Sequence, residues 1–140
     1  MKILFAADCS KFTKKALAFL VNHENLCGPA DELVVLHVQQ TVSRRVQSML
    51  GVDVVRTYQE EEALKVLNPI ERFLKRHKLP FRVSWMAGSP AVEIVRTAHR
   101  EKAQLIVMGT QGHGLLGRVL MGSVAQKVLT ASETPVLLVK

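Results

Sequence analysis

Long apolar runs, cysteines and aromatic residues are all scarce in this 140-residue sequence. No apolar run approaches the roughly 20 residues that a bilayer-spanning helix needs, and the apolar opening segment stops at Asp8, too early for a secretory signal. The two cysteines, Cys9 and Cys27, belong to no zinc-type spacing. With 48% hydrophobic residues, 8 glycines and 5 prolines, the composition also excludes a disordered chain. We therefore expect a soluble, cytoplasmic protein with reduced thiols and no membrane association.

Acidic residues are also in short supply. There are 12 Asp and Glu against 19 Lys and Arg, which gives a formal net charge of +7. The basic residues are scattered, and the densest run, 75–78, lies at a predicted helix end, where cations interact favourably with the helix dipole. Aromatic residues make up only 5% of the chain and do not alternate with the basic ones. This pattern favours a solvated basic face and predicts no specific nucleic-acid partner.

The chain shows no linker, repeat or second domain, so residues 1–140 are interpreted as a single domain. Short, continuous apolar runs alternate with segments of helical periodicity. A continuous apolar run is typical of a strand buried on both faces, and strands separated by helices form parallel sheets. The sequence therefore predicts an α/β fold with a parallel, doubly wound sheet and helices on both faces. The predicted strands are residues 2–7, 33–38, 81–86, 105–108 and 135–139.

Segments with helical periodicity lie between the predicted strands. Gly88-Ser89-Pro90 predicts a turn, an N-cap and a first helical residue. A long helix with Ala63, Leu67, Ile70 and Leu74 on one stripe is predicted to end near His77. Between residues 39 and 57 the periodicity fades, and only a short helix around residues 46–50 is indicated.

Five glycines lie between residues 109 and 122, after the fourth strand and before the last helix. Ligands of open α/β sheets bind beyond the carboxyl ends of the strands, where the strand order reverses. Glycine lets backbone N–H groups approach an anion closely, and a following helix N-terminus adds partial positive charge. The segment is interpreted as a phosphate cradle; the alternative is a glycine loop without a ligand.

Two common phosphate motifs do not fit this segment. Residues 109–114 match the first half of a P-loop, but Leu115 and Leu116 follow where Lys-Ser/Thr is required, which excludes a P-loop NTPase. Residues 112–117 match G-x-G-x-x-G, but they follow the fourth strand, and the first strand-to-helix turn, residues 7–10, contains no glycine. The dinucleotide match is therefore interpreted as accidental.

A third spacing fits the whole segment: Gly109-x-x-Gly112, nine residues, then Gly122-Ser123. With it the chain resembles the ATP-binding branch of the universal stress protein family. The resemblance extends over the full length. It includes the first strand ending at Asp8, the second strand closing at Val38, Gly88-Ser89-Pro90 before a helix, and the final strand at residues 135–139. Cys9 stands where the family commonly has glycine.

This resemblance implies a five-stranded sheet of the adenine nucleotide α-hydrolase-like type, with strand order 3-2-1-4-5 and ATP across the gap between strands 1 and 4. It implies that the nucleotide is ATP, AMP or another adenine nucleotide, with Mg²⁺ or Mn²⁺ held by the phosphates. Asp8 would bind the ribose hydroxyls or lie near the phosphate-bound metal, and the Val38 backbone would bind the adenine edge. The cofactor-binding residues implied are Ala7, Asp8, Val38, Gly109, Gly112, Arg118, Gly122, Ser123 and Val124.

Several of these residues have an alternative role. Asp8 either belongs to the site or caps the first helix, and Ser123 either donates its hydroxyl to a phosphate or is an N-cap. Arg118 either neutralises a terminal phosphate or is solvated. His37, inside a strand, is interpreted as a hydrogen-bonded core histidine.

The leading hypothesis for function is an ATP-binding stress-response protein that acts as a nucleotide-dependent regulatory or sensor module, with slow hydrolysis at most. One alternative is a nucleotide-free dimeric interaction protein. Another is an ATP pyrophosphatase or nucleotidyl transferase on the same fold, although residues 7–12 contain neither a glycine-serine phosphate loop nor His-x-x-His. We also expect a homodimer through the last strand, Val136 to Val139, because a bare apolar edge strand leaves backbone groups unpaired.

Overall fold

The computed structural model describes residues 1–110 and 121–140. Within them, five parallel strands form one sheet in the order β3-β2-β1-β4-β5. Both the parallel sheet and its order, 3-2-1-4-5, are confirmed. The strands are β1 (Lys2–Ala7), β2 (Glu32–Gln39), β3 (Phe81–Ala87), β4 (Leu105–Gly109) and β5 (Val136–Val139).

Helices connect the strands, as βαβ crossovers require. The first begins after Ser10, whose side chain accepts a hydrogen bond from the backbone N–H of Thr13. The fourth begins at Pro90 after the N-cap Ser89, as predicted. The helices of the described residues are α1 (Lys11–Val21), α2 (Arg44–Leu50), α3 (Val52–Lys75), α4 (Pro90–Arg100) and α5 (Ser123–Ala131).

Two hydrophobic cores lie on opposite faces of the sheet. Alternate residues of β1 point to opposite faces, so Phe5 packs with α1 and α3, whereas Leu4 packs with α4 and α5. Both side chains are fully buried. The helices therefore cover both faces of the sheet, which confirms the prediction.

The start of α3 differs from the sequence expectation. The helix begins at Val52, inside the segment where apolar periodicity fades. Its buried stripe continues towards the N-terminus through Val55 and Gln59, and the polar Gln59 interrupts the apolar pattern there. Pro69 lies within the same helix at an exposed position, where the missing backbone N–H is on the solvent side.

Within the described ranges, no helix is long and apolar enough to cross a membrane. The edge strands of the sheet are β3 and β5.

Candidate functional site

A cleft of about 620 Å³ lies at the carboxyl ends of β1, β2 and β4. This is the edge of the sheet where the strand order reverses, because β1 pairs with β2 on one side and with β4 on the other. Its volume is within the range of about 300–1,000 Å³ that is typical of small-molecule sites. Seven of the residues predicted from the sequence line it: Ala7, Asp8, Val38, Gly109, Gly122, Ser123 and Val124. Gly112 and Arg118 lie outside the described residues.

Asp8 is held by one of its two carboxylate oxygens. Its Oδ1 accepts hydrogen bonds from the backbone N–H of Ser10 and from the Thr13 hydroxyl, both at 2.8 Å. The same hydroxyl accepts from the backbone N–H of Asp8 at 3.0 Å. Oδ2 makes no hydrogen bond to another residue in the part of the chain that the structure describes. The carboxylate is therefore oriented through Oδ1 by Ser10 and Thr13.

The capping role considered for Asp8 belongs to Ser10. Ser10 has an extended backbone conformation, and its Oγ accepts from the Thr13 N–H at 3.4 Å. Asp8 lies two residues before the helix cap and supports the turn from outside the helix. The backbone of Cys9 does not adopt positive φ, so this turn accommodates cysteine without strain.

The backbone N–H and C=O groups of Val38 point towards β1 rather than towards β3. Leu33 N–H donates to Pro80 and Gly88 N–H donates to Gln39, so the odd-numbered residues of β2 bond towards β3. Glu32 N–H donates to Met1, so the even-numbered residues bond towards β1. The β1–β2 pairing ends at Ala7 and His37. The Val38 carbonyl therefore points past the last paired residue of β1, where the cleft lies.

Gly109, at the end of β4, allows the first turn of α1 to approach closely. A Cβ at this position would lie 2.5 Å from Cβ of Phe12 and 3.0 Å from its backbone carbonyl carbon. Real Cβ atoms do not approach other atoms so closely, and no flexible side-chain end is available to move away. Gly109 is thus needed for packing, in addition to its place on the wall of the cleft.

The start of α5 forms the wall beside β4. The N-cap is Gly122, whose N–H donates to the carbonyl of Thr110 at 2.6 Å. Ser123 is the first helical residue and is exposed, so the N-cap role considered for it is wrong. The first intrahelical bond is made by Gln126 N–H to Gly122. The N–H groups of Ser123, Val124 and Ala125 precede that bond, and none of them donates to another residue that the structure describes.

His37 is buried and hydrogen-bonded on both ring nitrogens, which confirms the core interpretation. Its Nδ1 lies 2.9 Å from the carbonyl oxygen of Ala7, and its Nε2 lies 2.9 Å from Oε1 of Gln39. Both partners are oxygens that only accept hydrogen bonds. The Ala7 oxygen is fixed in the main chain, so Nδ1 donates to it, whereas a half-turn of the Gln39 amide exchanges its oxygen and nitrogen at Nε2. His37 thereby links β1 to β2 and holds the Gln39 side chain at the cleft.

Sequence reasoning missed the contribution of α3. Glu62, Lys65 and Val66 line the cleft, and Lys65 Nζ pairs with Glu62 Oε1 at 2.8 Å. The hydrogen bond and the negative charge of Glu62 raise the pKa of Lys65. Lys65 is the one lysine or arginine among the described residues that line the cleft. The only signal in the sequence was the apolar stripe through Ala63 and Leu67. It places the three cleft residues of α3 beside the buried face of the helix.

Cys9, which lines the cleft, is an exposed residue. Partial burial of the thiol raises its pKa, and the charges of Asp8 and Glu62 raise it further. The side chain is therefore a neutral thiol at neutral pH and adds no negative charge to the cleft.

The order of the strands, the helices on both faces and the cleft at the switch point define a doubly wound α/β protein with a cleft of small-molecule size. The sequence model of the universal stress protein family matches residues 1–140. The universal stress protein YxiE of Bacillus subtilis is 30% identical over 147 residues, covering 99% of this chain and 98% of that relative. The chain therefore belongs to the universal stress protein family.

Solved structures agree with this assignment. The structure of MJ0577, a universal stress protein of Methanocaldococcus jannaschii, superposes with a TM-score of 0.84 at 30% identity, covering 99% of this chain and 94% of that one. Two structures that share the fold were solved with nucleotides. One is a universal stress protein of Archaeoglobus fulgidus in complex with dAMP (TM-score 0.73, 21% identity, coverage 100% and 98%). The other is a family member from Arabidopsis thaliana with AMP bound (TM-score 0.73, 16% identity, coverage 100% and 91%).

Proposed function

We propose that this protein binds an adenine nucleotide, ATP in particular, in the cleft and acts as a nucleotide-dependent regulatory or sensor module in the cytoplasm. One observation supports this most strongly. Residues far apart in the sequence, Asp8, Val38 and Ser123, meet at one cleft of about 620 Å³ at the switch point of the sheet. The nucleotide complexes of the two family members support the same ligand class.

Each part of the cleft suits a part of the nucleotide. Oδ2 of Asp8 accepts hydrogen bonds from the ribose hydroxyls, and the Val38 backbone pairs with the edge of the adenine. The N–H groups at the start of α5 and the hydroxyl of Ser123 bind the phosphates. Gly112 and Arg118 remain candidates for the same phosphates. In the described parts of the chain, no three His, Cys, Asp or Glu side chains form a metal site. In this proposal Mg²⁺ or Mn²⁺ is carried by the phosphates.

The role of Asp8 is tested with Asp8→Asn and a ligand that lacks ribose hydroxyls. Asparagine keeps the oxygen that bonds to Ser10 and Thr13 and replaces the other oxygen by an NH₂ group, so the turn stays intact. We expect wild-type protein to bind ATP about tenfold or more tightly than 2′,3′-dideoxy-ATP, since hydrogen bonds to a charged group contribute about 1.5–3 kcal/mol. Asp8→Asn should lose most of this preference.

Isothermal titration calorimetry measures both ligands on both proteins. The same preference in wild type and variant would contradict the role of Asp8. Undetectable binding of ATP and AMP to the wild-type protein would contradict the proposed function as a whole and favour the nucleotide-free interaction protein.

An enzymatic function on the same fold is the second candidate, since two carboxylates line the cleft. Glu62 pairs with Lys65, and Asp8 accepts two hydrogen bonds through Oδ1 while its Oδ2 is assigned in this proposal to the ribose hydroxyls. Neither is placed as a free general base, so we expect ATP turnover far below a typical enzyme rate of ~10 s⁻¹. Phosphate release at saturating Mg-ATP measures it. A rate near or above that value would favour the enzyme over the sensor.

A further inference from the structure

A second groove, of about 520 Å³, lies between the first turns of α3 and the end of β3. We call it the α3–β3 groove. Its apolar walls include Val52 and Val55 of α3 and Trp85 of β3. It shares no lining residue with the candidate nucleotide cleft, and its volume is within the range of about 300–1,000 Å³ that is typical of small-molecule sites. The groove therefore has the size of an independent ligand site.

Gln59 gives this groove an unpaired amide. The residue is only 7% exposed and lies on the buried stripe of α3 between Val55 and Ala63, where every other buried residue is apolar. Its side chain makes no hydrogen bond to another residue that the structure describes. Every fully enclosed polar side-chain atom of the described residues has a hydrogen-bond partner, so the amide of Gln59 reaches open space, and the groove is the space that Gln59 lines. The amide is thus available for hydrogen bonds to a ligand in the groove.

Two charged side chains of opposite sign line the same groove. Arg56 and Glu60 lie four residues apart on α3, which is about 6 Å along the helix axis. Neither forms an ion pair with another residue in the described ranges. A purely anionic ligand would meet the carboxylate of Glu60, and a purely cationic one would meet the guanidinium of Arg56. The groove is therefore complementary to a small ligand that carries both charges.

We propose that the α3–β3 groove binds a dipeptide with free ends and apolar side chains. An extended chain spans about 3.3–3.6 Å per residue, so the ammonium and carboxylate of a dipeptide are about as far apart as Glu60 and Arg56 are along the helix. The carboxylate pairs with Arg56 and the ammonium with Glu60. The peptide group between them hydrogen-bonds to Gln59, because an amide side chain both donates and accepts. The side chains of the ligand pack against Val52 and Trp85.

Trp85 provides a direct readout, because it is the single tryptophan of the chain and lines this groove. It pairs in register with His37, which lines the nucleotide cleft, so the titrations are made without nucleotide. The probes are leucyl-leucine, leucine, and leucyl-leucine with an N-acetyl and a C-amide cap. The inference does not depend on nucleotide binding, and a protein that binds no ATP can still bind leucyl-leucine.

We expect leucyl-leucine to change the fluorescence of Trp85 in a saturable way, and calorimetry to give the dissociation constant. Leucine lacks the peptide group and the capped peptide lacks both charges, so each should bind about tenfold or more weakly. No binding of leucyl-leucine at millimolar concentration overturns the proposal. Equal binding of the capped peptide also overturns it, and would indicate an extended polypeptide beside β3 instead of a free dipeptide.

Two charge variants test the orientation of the ligand. Arg56→Gln should bind leucyl-leucine and its C-terminal amide equally, because the partner of the carboxylate is gone. Glu60→Gln should lose the preference for a free over an acetylated N-terminus. Arg72→Gln is the control, at an exposed position of the same helix outside the groove, and should keep both preferences. Wild-type preferences in Arg56→Gln and Glu60→Gln would contradict the proposed recognition of the two ends.

Gln59→Leu tests the amide. Leucine is a good helix former and continues the apolar stripe of α3, so urea unfolding should show a stability at least equal to that of wild type. We expect the affinity for leucyl-leucine to fall about tenfold or more. An unchanged affinity in this variant would show that Gln59 does not hold the peptide group and would overturn the proposal.

Discussion

At the scale of single residues, the cleft is built from groups that also stabilise the fold. Asp8 supports the turn into α1 with one oxygen, the buried Thr13 orients it, and the other oxygen is the one proposed to bind the ribose. Gly109 allows the first turn of α1 to pack closely against β4, and it also lines the cleft. A substitution in such a residue affects stability and binding together, so each test needs a variant that separates the two effects.

Gly109→Ala should destabilise the protein, because the new methyl group would overlap Phe12. Forcing one extra carbon into a packed site costs about 1–3 kcal/mol. Gly88→Ala is the matched control: its Cβ would meet Cγ of Glu93 at 2.8 Å, and a long side chain can move away. We expect a smaller loss of stability there, because only the Glu93 side chain has to move and no backbone atom is overlapped. Urea unfolding measures both variants, and equal destabilisation would show that the approach of Phe12 is not the cause.

At the scale of elements, the two ends of the sheet are organised differently. The carboxyl ends of the strands open into the cleft, whereas charged side chains connect the amino ends. Arg82 of β3 bonds to Glu32 of β2 and to Glu101 at the end of α4, and Lys2 of β1 pairs with both glutamates. These partly exposed pairs join four elements at the end of the sheet away from the cleft.

The charged pairs at the amino ends of the strands should make part of the free energy of unfolding depend on pH in the acid range. Hydrogen bonds from Arg82 hold the pKa of both Glu32 and Glu101 below the ordinary value of 4.5. A carboxylate whose folded-state pKa is lowered stabilises the fold above its unfolded pKa, and this contribution is lost as the pH falls through the folded pKa. We therefore expect Arg82→Gln to be less stable than wild type at neutral pH, with the difference shrinking from pH 7 to about pH 3.

Urea unfolding of the two proteins across this range gives the difference directly. Arg96→Gln is the control, because it removes an exposed pair with Glu93 inside α4 that joins no other element. Its difference from wild type should depend little on pH. A stability difference in Arg82→Gln that stays constant down to pH 3 would contradict the prediction.

At the scale of the whole molecule, the open β5 edge determines how copies can pair. Ile106 N–H donates to Pro135 and Thr110 N–H donates to Val139, so the odd-numbered residues of β5 bond to β4. The backbone groups of Val136 and Leu138 consequently face outward. Both side chains pack into the core shared by α4 and α5. The apolar character of β5 thus serves the monomer core, and any pairing with a second copy depends on the outward backbone.

The proposed homodimer through β5 is tested with Leu138→Pro and Leu138→Ala. Both remove the leucine side chain from the core, but only proline removes the outward N–H. We expect Leu138→Ala to pair through β5 as wild type does and Leu138→Pro to lose this pairing, so that its sedimentation mass falls by half. Identical masses for the two variants would mean that the β5 backbone makes no contact between copies.

Much of the architecture was predictable from the sequence because it depends on local pattern. The predicted strands match all five strands of the sheet; β1, β2, β4 and β5 are largely continuous apolar runs, whereas Arg82 and Ser84 alternate with apolar residues in β3. Ser89-Pro90 predicted the start of α4. The end of β1 at Asp8 predicted a polar side chain at the switch point of the sheet. These features follow from the side chains of a few neighbouring residues, since burial on both faces requires uninterrupted apolar strands.

Other features depended on contacts between distant segments, and only the tertiary structure decided them. Glu62 and Lys65 reach the cleft because α3 packs across β2, more than 50 residues along the chain from Asp8. The choice of Ser10 and Gly122 as helix caps depended on backbone angles that several local residues could have adopted. The sequence by itself determined which segments are strands and helices, because burial requires a characteristic spacing of apolar residues in each kind of element. The tertiary structure decided which side chains share the cleft and which, like Met49 on α2, remain exposed, because these depend on how the elements pack together.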